Sequence, residues 1–99
     1  MRQIRLAVNS SQKARVFRNT VGLLYTRDGT PNHVGLSRGS GDLIGFTNKG
    51  RFISLEIKST KGKASDEQLA WAATVTRFGG IAAIVRSVEE AMEVINKSS

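Results

Sequence analysis

Two acidic residues, Asp42 and Glu56, lie in a part of the chain that is otherwise strongly basic. Each belongs to a run rich in branched and aromatic residues, 42–47 and 51–59. Only Asn48-Lys49-Gly50 separates the two runs, and a short loop that contains glycine predicts a β-hairpin. With a three-residue loop, Asp42 falls directly opposite Glu56, and their Cβ atoms would be about 4.5–5.5 Å apart.

Two ionised carboxylates at that distance repel each other unless a cation lies between them. The two-residue period of a strand also places Lys58 on the same face as Glu56. Two carboxylates beside an ammonium group suit a hard, oxygen-ligated cation such as Mg²⁺. This combination fits phosphodiester hydrolysis, in which the metal polarises the phosphate and lowers the pKa of a bound water. The lysine would orient or deprotonate that water.

A plainer interpretation uses the same residues. Glu56 and Lys58 can form an ion pair near a strand end, while Asp42 only begins its strand. A two-residue loop would pair Asp42 with Ile57 and place it on the opposite face from Glu56. The catalytic interpretation therefore depends on the length of the loop.

The elements that must position these residues can be read from the periodicity. Ser65 and Ser87 each precede a glutamine or glutamate by three residues, as in a capping box that begins a helix. The pattern predicts a first helix over 3–9, strand-like sequence over 14–26 with a break near 19–22, and a loop or loose hairpin over 27–41. After the hairpin it predicts a helix over 66–78, a strand over 81–85 and a final helix. This order is typical of an α/β sandwich.

Composition narrows the function classes. The 99 residues fit one compact domain with a net charge of +7. Residues 1–63 hold twelve basic and three acidic residues, whereas 64–99 hold three basic and five acidic ones. This asymmetry is typical of a polyanion-binding face, although a solubility surface gives the same pattern.

Several kinds of site are disfavoured by residue counts. The absence of cysteine excludes disulfides, zinc ribbons and thiol nucleophiles, and the single histidine, His33, argues against a multi-histidine metal site or a Ser-His-Asp triad. With only 6% aromatic residues, base stacking on RNA is disfavoured. No apolar run approaches the length of a membrane span and no leader opens the chain, so we expect a cytoplasmic protein.

Four ordered motifs carry a family resemblance: Arg18-Asn19-x-x-Gly22, Gly41-Asp42-Leu43-Ile44-Gly45, Leu55-Glu56-Ile57-Lys58 and Ser65-x-x-Gln68-x-x-Trp71. Together they resemble the VRR-NUC domain of the PD-(D/E)XK nuclease superfamily, over about residues 15 to 95. An acid-x-Lys pair alone is a weak signal, but the ordered set with its spacing is specific. The resemblance implies a restriction-endonuclease-like core of order α-β-β-β-α-β-α, with a mixed central sheet flanked by helices, as a single domain over residues 1–99.

The same resemblance implies roles for individual residues. Asp42 and Glu56 would be the metal-binding carboxylates, the Ile57 carbonyl would help them, and Lys58 would be the catalytic lysine. Gln68 would point into the site, and it is also the capping-box partner of Ser65. Trp71 is expected to pack rather than to stack on a base. The candidate DNA-binding residues, taken from the resemblance and from the basic half, are Arg18, Asn19, Arg38, Arg51, Lys61 and Lys63. For Arg18 and Asn19 the resemblance implies either a contact with a substrate phosphate or support of the site.

The activity implied is that of a Mg²⁺-dependent, structure-selective DNA endonuclease of the stand-alone phage or bacterial type, with Mn²⁺ able to substitute. It would leave 5′-phosphate and 3′-hydroxyl ends on branched or four-way-junction DNA, in the cytoplasm of a bacterial cell or a phage-infected host. The alternative is a DNA-binding module without catalysis. One feature departs from the family pattern, because residues 1–27 contain no acid where the family usually carries one on its first helix.

The resemblance also implies a homodimer, since stand-alone members look like homodimers. Coordinated cutting of both strands of a junction needs two sites, which a two-fold dimer supplies. Six apolar residues of the last two helices exceed what one face of a sheet requires: Leu69, Trp71, Val75, Phe78, Met92 and Ile95. The alternative is that all six complete the core of the monomer.

Overall fold

The computed structural model describes residues 1–98. Its elements are α1 (Arg2–Ser10), β1 (Ala14–Arg18), β2 (Gly22–Tyr25), β3 (Pro31–Val34), β4 (Leu43–Thr47), β5 (Phe52–Ile57), α2 (Asp66–Arg77), β6 (Ile81–Val85) and α3 (Val88–Lys97). The four strands of the central sheet and the three helices follow the predicted order α-β-β-β-α-β-α, which confirms the fold class. Within residues 1–98, no helix is both long enough and apolar enough to cross a bilayer.

The central sheet has the strand order β1-β4-β5-β6. β4 is antiparallel to β1 and to β5, whereas β5 and β6 are parallel, so the sheet is mixed. Leu43 pairs with Leu55, which is the register that a three-residue loop predicts. In that loop Gly50 has a φ of 81°, a left-handed conformation that glycine adopts without steric cost. This register brings the end of β5 beside the start of β4.

The core lies on one face of this sheet, under α1 and α3. Alternate side chains of each strand point to this face, and they pack against Ile4 and Val8 of α1 and against Ala91 and Ile95 of α3. The buried strand residues of the cluster are Ala14, Val16, Leu43, Ile53, Leu55 and Val85. Helix α2 packs on the other face, against β5 and β6. The β1 and β4 half of that second face stays open, and Phe17 and Phe46 are about half exposed there.

Residues 20–35 form a separate arm. The sequence predicts a loop or loose hairpin over 27–41, and the structure extends this prediction: β2 and β3 form a regular two-stranded hairpin. Among the strands of residues 1–98, these two pair only with each other, and nearly all of their residues are exposed. His33, expected in a loop, lies in β3 opposite Leu23. An isolated two-stranded hairpin is marginally stable in water, so the arm lacks the support that the central strands have.

The two predicted capping boxes differ in the structure. Around α2 both hydrogen bonds are present, from the Gln68 backbone N–H to Ser65 Oγ and from the Ser65 N–H to Gln68 Oε1. At α3 the Ser87 hydroxyl accepts the Glu90 N–H, but the Glu90 carboxylate accepts from the Arg86 N–H instead of that of Ser87. The prediction of the second capping box was therefore half wrong. The Ser87 side chain caps the helix as predicted, but the Glu90 side chain reaches one residue further back, to Arg86.

Candidate active site

The two acids of the hairpin meet at one end of the central sheet. Asp42 directly precedes β4, and Glu56 is the last residue but one of β5. The Asp42 Oδ2 atom accepts a hydrogen bond of 2.9 Å from the Ile57 backbone N–H, which ties the start of β4 to the end of β5. Lys58 Nζ lies 3.6 Å from Glu56 Oε1. The carboxylates and the ammonium group thus converge on the α2 face, at the strand ends.

Burial and charge act together on Glu56, whose side chain is only 11% exposed. Removal from water raises the pKa of the Glu56 carboxyl, and the neighbouring Asp42 carboxylate raises it further. The Lys58 ammonium opposes both effects and lowers this pKa. The site therefore holds two carboxylates close together, and a single lysine only partly compensates their mutual repulsion.

Gln68 links α2 to the site. Its Nε2 donates a hydrogen bond of 2.8 Å to Glu56 Oε1, while its Oε1 accepts the Ser65 N–H at 2.9 Å. The two roles expected for this side chain, capping the helix and facing the site, are thus compatible. The cap also fixes the orientation of the amide, because its oxygen is occupied by Ser65 and only the NH₂ group can face Glu56.

The segment before Asp42 is held by Asn19. The Asn19 N–H donates to the Asp42 carbonyl at 2.9 Å, and its side-chain amide donates to Ser40 Oγ at 2.8 Å and to the Gly41 carbonyl at 2.9 Å. Its Oδ1 accepts the Leu36 N–H at 3.3 Å. Asn19 therefore supports the backbone that carries Asp42 through its hydrogen bonds to residues 40–42.

Ser54 supports the same segment from β5. This buried hydroxyl accepts the Gly41 N–H at 3.1 Å and the Trp71 indole N–H at 2.9 Å. A Cβ atom on Gly41 would lie only 2.4 Å from Ser54 Oγ and 2.8 Å from the Leu55 carbonyl oxygen, so only glycine fits there. Trp71 also packs edge-on against Phe52, with ring centroids 6.2 Å apart, and this packing role is the one expected for it.

A cleft of about 120 Å³ opens between α2 and the sheet. Glu56 and Gln68 line it on the side of the site, and Trp71 and Ala72 line it along the helix. A larger cavity of about 790 Å³ lies at the base of the arm, between Leu23 and Arg38. Its lining includes His33 but no acid, so it lacks the donor set of the cleft.

The predicted DNA-binding residues do not form one cluster. Arg38 is exposed and pairs with Glu67 at the start of α2, with 3.2 Å between Nε and Oε2. Lys61 and Lys63 are exposed in the loop that follows β5, on the same end of the sheet as the carboxylates. Arg51 lies at the other end, in the turn between β4 and β5, where its Nε donates to the Gly79 carbonyl at 3.0 Å. Arg51 is therefore remote from the candidate site.

Arg18 lies near the site, on the opposite face of the sheet. It pairs with Leu43, a core residue beside Asp42, and faces α1. There it joins Arg2 and Arg5, two residues that are not among the candidates predicted from the sequence. The signal that could have identified them is the complete absence of acids from residues 1–27, which leaves these arginines without partners in their own segment.

The donor set fits a hard divalent cation. Within residues 1–98 there is no cluster of three or more His, Cys, Asp or Glu side chains. Asp42 and Glu56 thus supply two carboxylates, which backbone carbonyls and water can supplement, and all of these donors are oxygen atoms, as Mg²⁺ prefers. Burial and then the neighbouring Asp42 carboxylate raise the pKa of Glu56, and a bound dication would relieve the repulsion between the two carboxylates.

A comparison with known protein families gave a match. The family model of the VRR-NUC domain matches residues 6–89, a range that contains all of the site residues above from Arg18 to Trp71. A search of curated proteins found no match to the chain.

Proposed function

Since the chain belongs to the VRR-NUC family of the PD-(D/E)XK nuclease superfamily, we propose that it is a Mg²⁺-dependent DNA endonuclease. The observation that carries this proposal is the convergence of four side chains at one end of the sheet. Asp42 contacts the Ile57 N–H, and Glu56 lies between Lys58 and Gln68. We further propose that branched or four-way-junction DNA is the preferred substrate, and that the protein acts in the cytoplasm.

Asp42, Glu56 and the Ile57 carbonyl would hold the cation. When bound, Mg²⁺ would polarise the scissile phosphate and lower the pKa of a bound water, and Mn²⁺ would serve in its place. The Ile57 N–H and the Gln68 amide each occupy one carboxylate oxygen, so they fix how Asp42 and Glu56 present their other oxygens. This support resembles the outer hydrogen bonds that orient ligands in metal sites.

Lys58 is the group that would act on the water. Its backbone N–H donates to the Val85 carbonyl at 3.1 Å, so its main chain is fixed against β6 while Nζ reaches Glu56. In the reaction the water oxygen forms a bond to phosphorus and the bond from phosphorus to the 3′-oxygen breaks. Lys58 would orient the water through its ammonium group or, as the neutral amine, take up the water's proton. The departing 3′-oxygen would take a proton from solvent, and the products would be a 5′-phosphate and a 3′-hydroxyl.

A homodimer is the second part of the proposal. Of the six apolar helix residues expected at an interface, Val75 and Ile95 are buried within the monomer and Met92 packs on its core. The arm offers a better surface, because Leu24 and Tyr25 are 59% and 66% exposed on a hairpin with no other support. Apolar residues also line the 790 Å³ cavity at the base of the arm. Two copies related by a two-fold axis would each insert the arm at the other's cavity.

A cleavage panel tests the function. Supercoiled plasmid, single strands, flaps, forks and four-way junctions are incubated with the protein and Mg²⁺ or Mn²⁺, with EDTA as the control. Metal-dependent nicking, strongest on one of the branched substrates, is the expected result. Binding without cleavage of any substrate under either metal would favour the alternative, a DNA-binding module without catalysis.

A further inference from the structure

Three arginines surround one cavity at the N-terminal end of α1. The cavity measures about 390 Å³ and is lined by Met1, Arg2, Arg5 and Arg18. Arg2 and Arg5 belong to the first turns of α1, and Arg18 is the last residue of β1. The three guanidinium groups therefore come from two elements that are folded against each other.

None of these guanidinium groups has a hydrogen-bonding or acidic partner among residues 1–98. Other arginines differ: Arg38 pairs with Glu67, and Arg86 donates to the Ser59 and Gly62 carbonyls. Arg5 is moreover half-buried, where an unpaired charge is costly. Three like charges around one cavity repel each other, and an anion between them would offset this repulsion.

The helix terminus adds to the positive potential of the cavity. α1 begins without a side-chain cap hydrogen bond and has no acidic residue in its first turn, so neither of these features offsets the positive end of its dipole. Guanidinium groups bind phosphate oxygens through paired, charge-assisted hydrogen bonds. The chemistry of the cavity therefore favours a phosphate group.

The position of the cavity relates it to the candidate active site. Arg18 pairs with Leu43, whose neighbour is Asp42, so both groups lie at the same end of the sheet. They lie on opposite faces, since Leu43 and Arg18 face α1 whereas Asp42 and Glu56 face α2. A nucleic-acid backbone that crosses the strand ends would contact the carboxylates on one face and the arginines on the other.

We propose that Arg2, Arg5 and Arg18 form a second phosphate-binding site. This site binds the DNA backbone at a phosphate other than the scissile one. This inference rests on the proposed function, because it assumes that DNA is the substrate. It assigns the positioning of the duplex to the segment in which the family's usual first-helix acid is missing.

The test compares two triple variants of equal charge. Arg2→Gln, Arg5→Gln and Arg18→Gln remove the arginine cavity. Lys49→Gln, Arg77→Gln and Lys97→Gln remove three exposed charges at the other end of the sheet and serve as the control.

Binding of a fluorescein-labelled duplex is measured by anisotropy at several salt concentrations, in an Asp42→Asn background that prevents cleavage. We expect the first variant to bind about tenfold or more weakly at low salt, and its salt slope to fall by about 1–2, since each phosphate contact contributes about 0.9. The control should lose much less.

A second experiment locates the contact on the DNA. Single methylphosphonate linkages, which carry no charge, are placed one at a time along each strand. At one or two positions outside the cleaved linkage, the substitution should weaken binding of the parent protein severalfold and leave the arginine triple variant unaffected. Equal sensitivity of both proteins at every position would overturn the proposal.

The two proposals fail in different ways. If the unsubstituted chain neither cleaves nor binds DNA, the proposed function is wrong. If it cleaves, but the arginine variant and the control lose affinity equally, only the second phosphate site is wrong. Should the triple variant unfold by circular dichroism, the double variant Arg2→Gln, Arg18→Gln decides the matter, because both of these side chains are exposed. Unchanged affinity in that double variant would also overturn the proposal.

Discussion

Gln68 donates a hydrogen bond of 2.8 Å to Glu56, so the N-terminal cap of α2 and one of the two site carboxylates share a single side chain. The start of the helix and the geometry of the site are therefore coupled. A substitution at Ser65 disturbs only the cap, because its hydroxyl bonds the Gln68 N–H and does not contact Glu56. A substitution at Gln68 disturbs both.

The first prediction uses this difference. Ser65→Ala should cost about 1 kcal/mol through the lost cap, or about 4–8 °C in Tm for a domain of this size. It should leave most of the cleavage activity. Gln68→Ala should lower Tm similarly and also lower kcat severalfold, because Glu56 loses its orienting donor. Thermal melts and single-turnover cleavage measure the two effects, and equal loss of activity in both variants would contradict the assignment.

The second prediction concerns the carboxylates. Asp42→Asn and Glu56→Gln should each reduce cleavage to background while DNA affinity stays close to that of the parent chain, since each removes the charge of a proposed metal ligand without changing its shape. Cleavage and anisotropy on the same junction substrate provide the check. Near-normal turnover of Asp42→Asn would mean that the metal lies elsewhere.

Lys58 yields a third prediction, which separates two roles. Lys58→Ala should lower kcat by about 10²–10⁴-fold, the usual contribution of a positioned proton-transfer group. Lys58→Arg keeps the positive charge but cannot take up a proton. If Lys58 deprotonates the water, the arginine variant should be nearly as slow as the alanine variant. Recovery of most of the activity by arginine would show that orientation and charge suffice.

A fourth prediction follows from the repulsion within the site. In EDTA, Asp42→Asn should have the same Tm as the parent chain or one a few degrees higher. The reason is that the variant lacks the repulsion between the carboxylates of residues 42 and 56. Addition of Mg²⁺ should raise the Tm of the parent chain more than that of the variant. A larger metal-induced shift in the variant would contradict the assigned ligands. The control for these melts is Glu93→Gln, which removes an exposed carboxylate of α3 and should respond to Mg²⁺ as the parent chain does.

The fifth prediction concerns the tip of the arm. Hydrogen bonds from the Thr26 hydroxyl and from Thr30 lower the pKa of Asp28 to about 2 from its ordinary 3.8. Because the folded turn prefers the ionised form, its stabilisation is present above about pH 3.8 and is lost as the pH falls through about 2. Relative to the intrinsic exchange rate at each pH, exchange of the Thr30 amide hydrogen should become faster over that range. In Asp28→Asn, which does not titrate, this ratio should stay constant.

The proposed dimer leads to the last prediction. Light scattering at micromolar concentration should give about twice the 10.7 kDa of one chain. Leu24→Ser with Tyr25→Ser should shift the mass toward one chain, since both side chains are largely exposed on the arm. Phe78→Ser, at a residue that is 77% exposed on the main body, should leave the mass unchanged. A parent chain with a mass near 10.7 kDa would contradict the dimer.

The sequence predicted those parts of the fold that local rules determine. The loop Asn48-Lys49-Gly50 fixes the hairpin register, because its length and its glycine leave one favourable turn, and the register in turn places Asp42 beside Glu56. Ser65 and Gln68 likewise fixed the start of α2 within a single turn of chain. The family match then agreed with the motifs that carry the resemblance.

Features that depend on distant segments were not predictable in the same way. That Arg51 and Lys61 lie at opposite ends of the sheet follows from the strand directions, and charge counts contain no such information. The meeting of Arg2 and Arg5 with Arg18 requires α1 to fold back along β1, a tertiary arrangement. At α3, the choice of Glu90 between two neighbouring N–H groups depends on the backbone at Arg86.

The arm has a consequence for how this chain can change over evolution. Asn19 donates its backbone N–H to the Asp42 carbonyl and accepts the Leu36 N–H at its side-chain Oδ1, so the segment 20–35 leaves the main body and returns to it at a single residue. The cost of closing a loop grows only slowly with its length. Insertions and deletions between residues 20 and 35 should therefore be tolerated without moving the carboxylates, and recombination could exchange the whole segment. Relatives with the same catalytic end could in this way acquire different partners by replacing one hairpin.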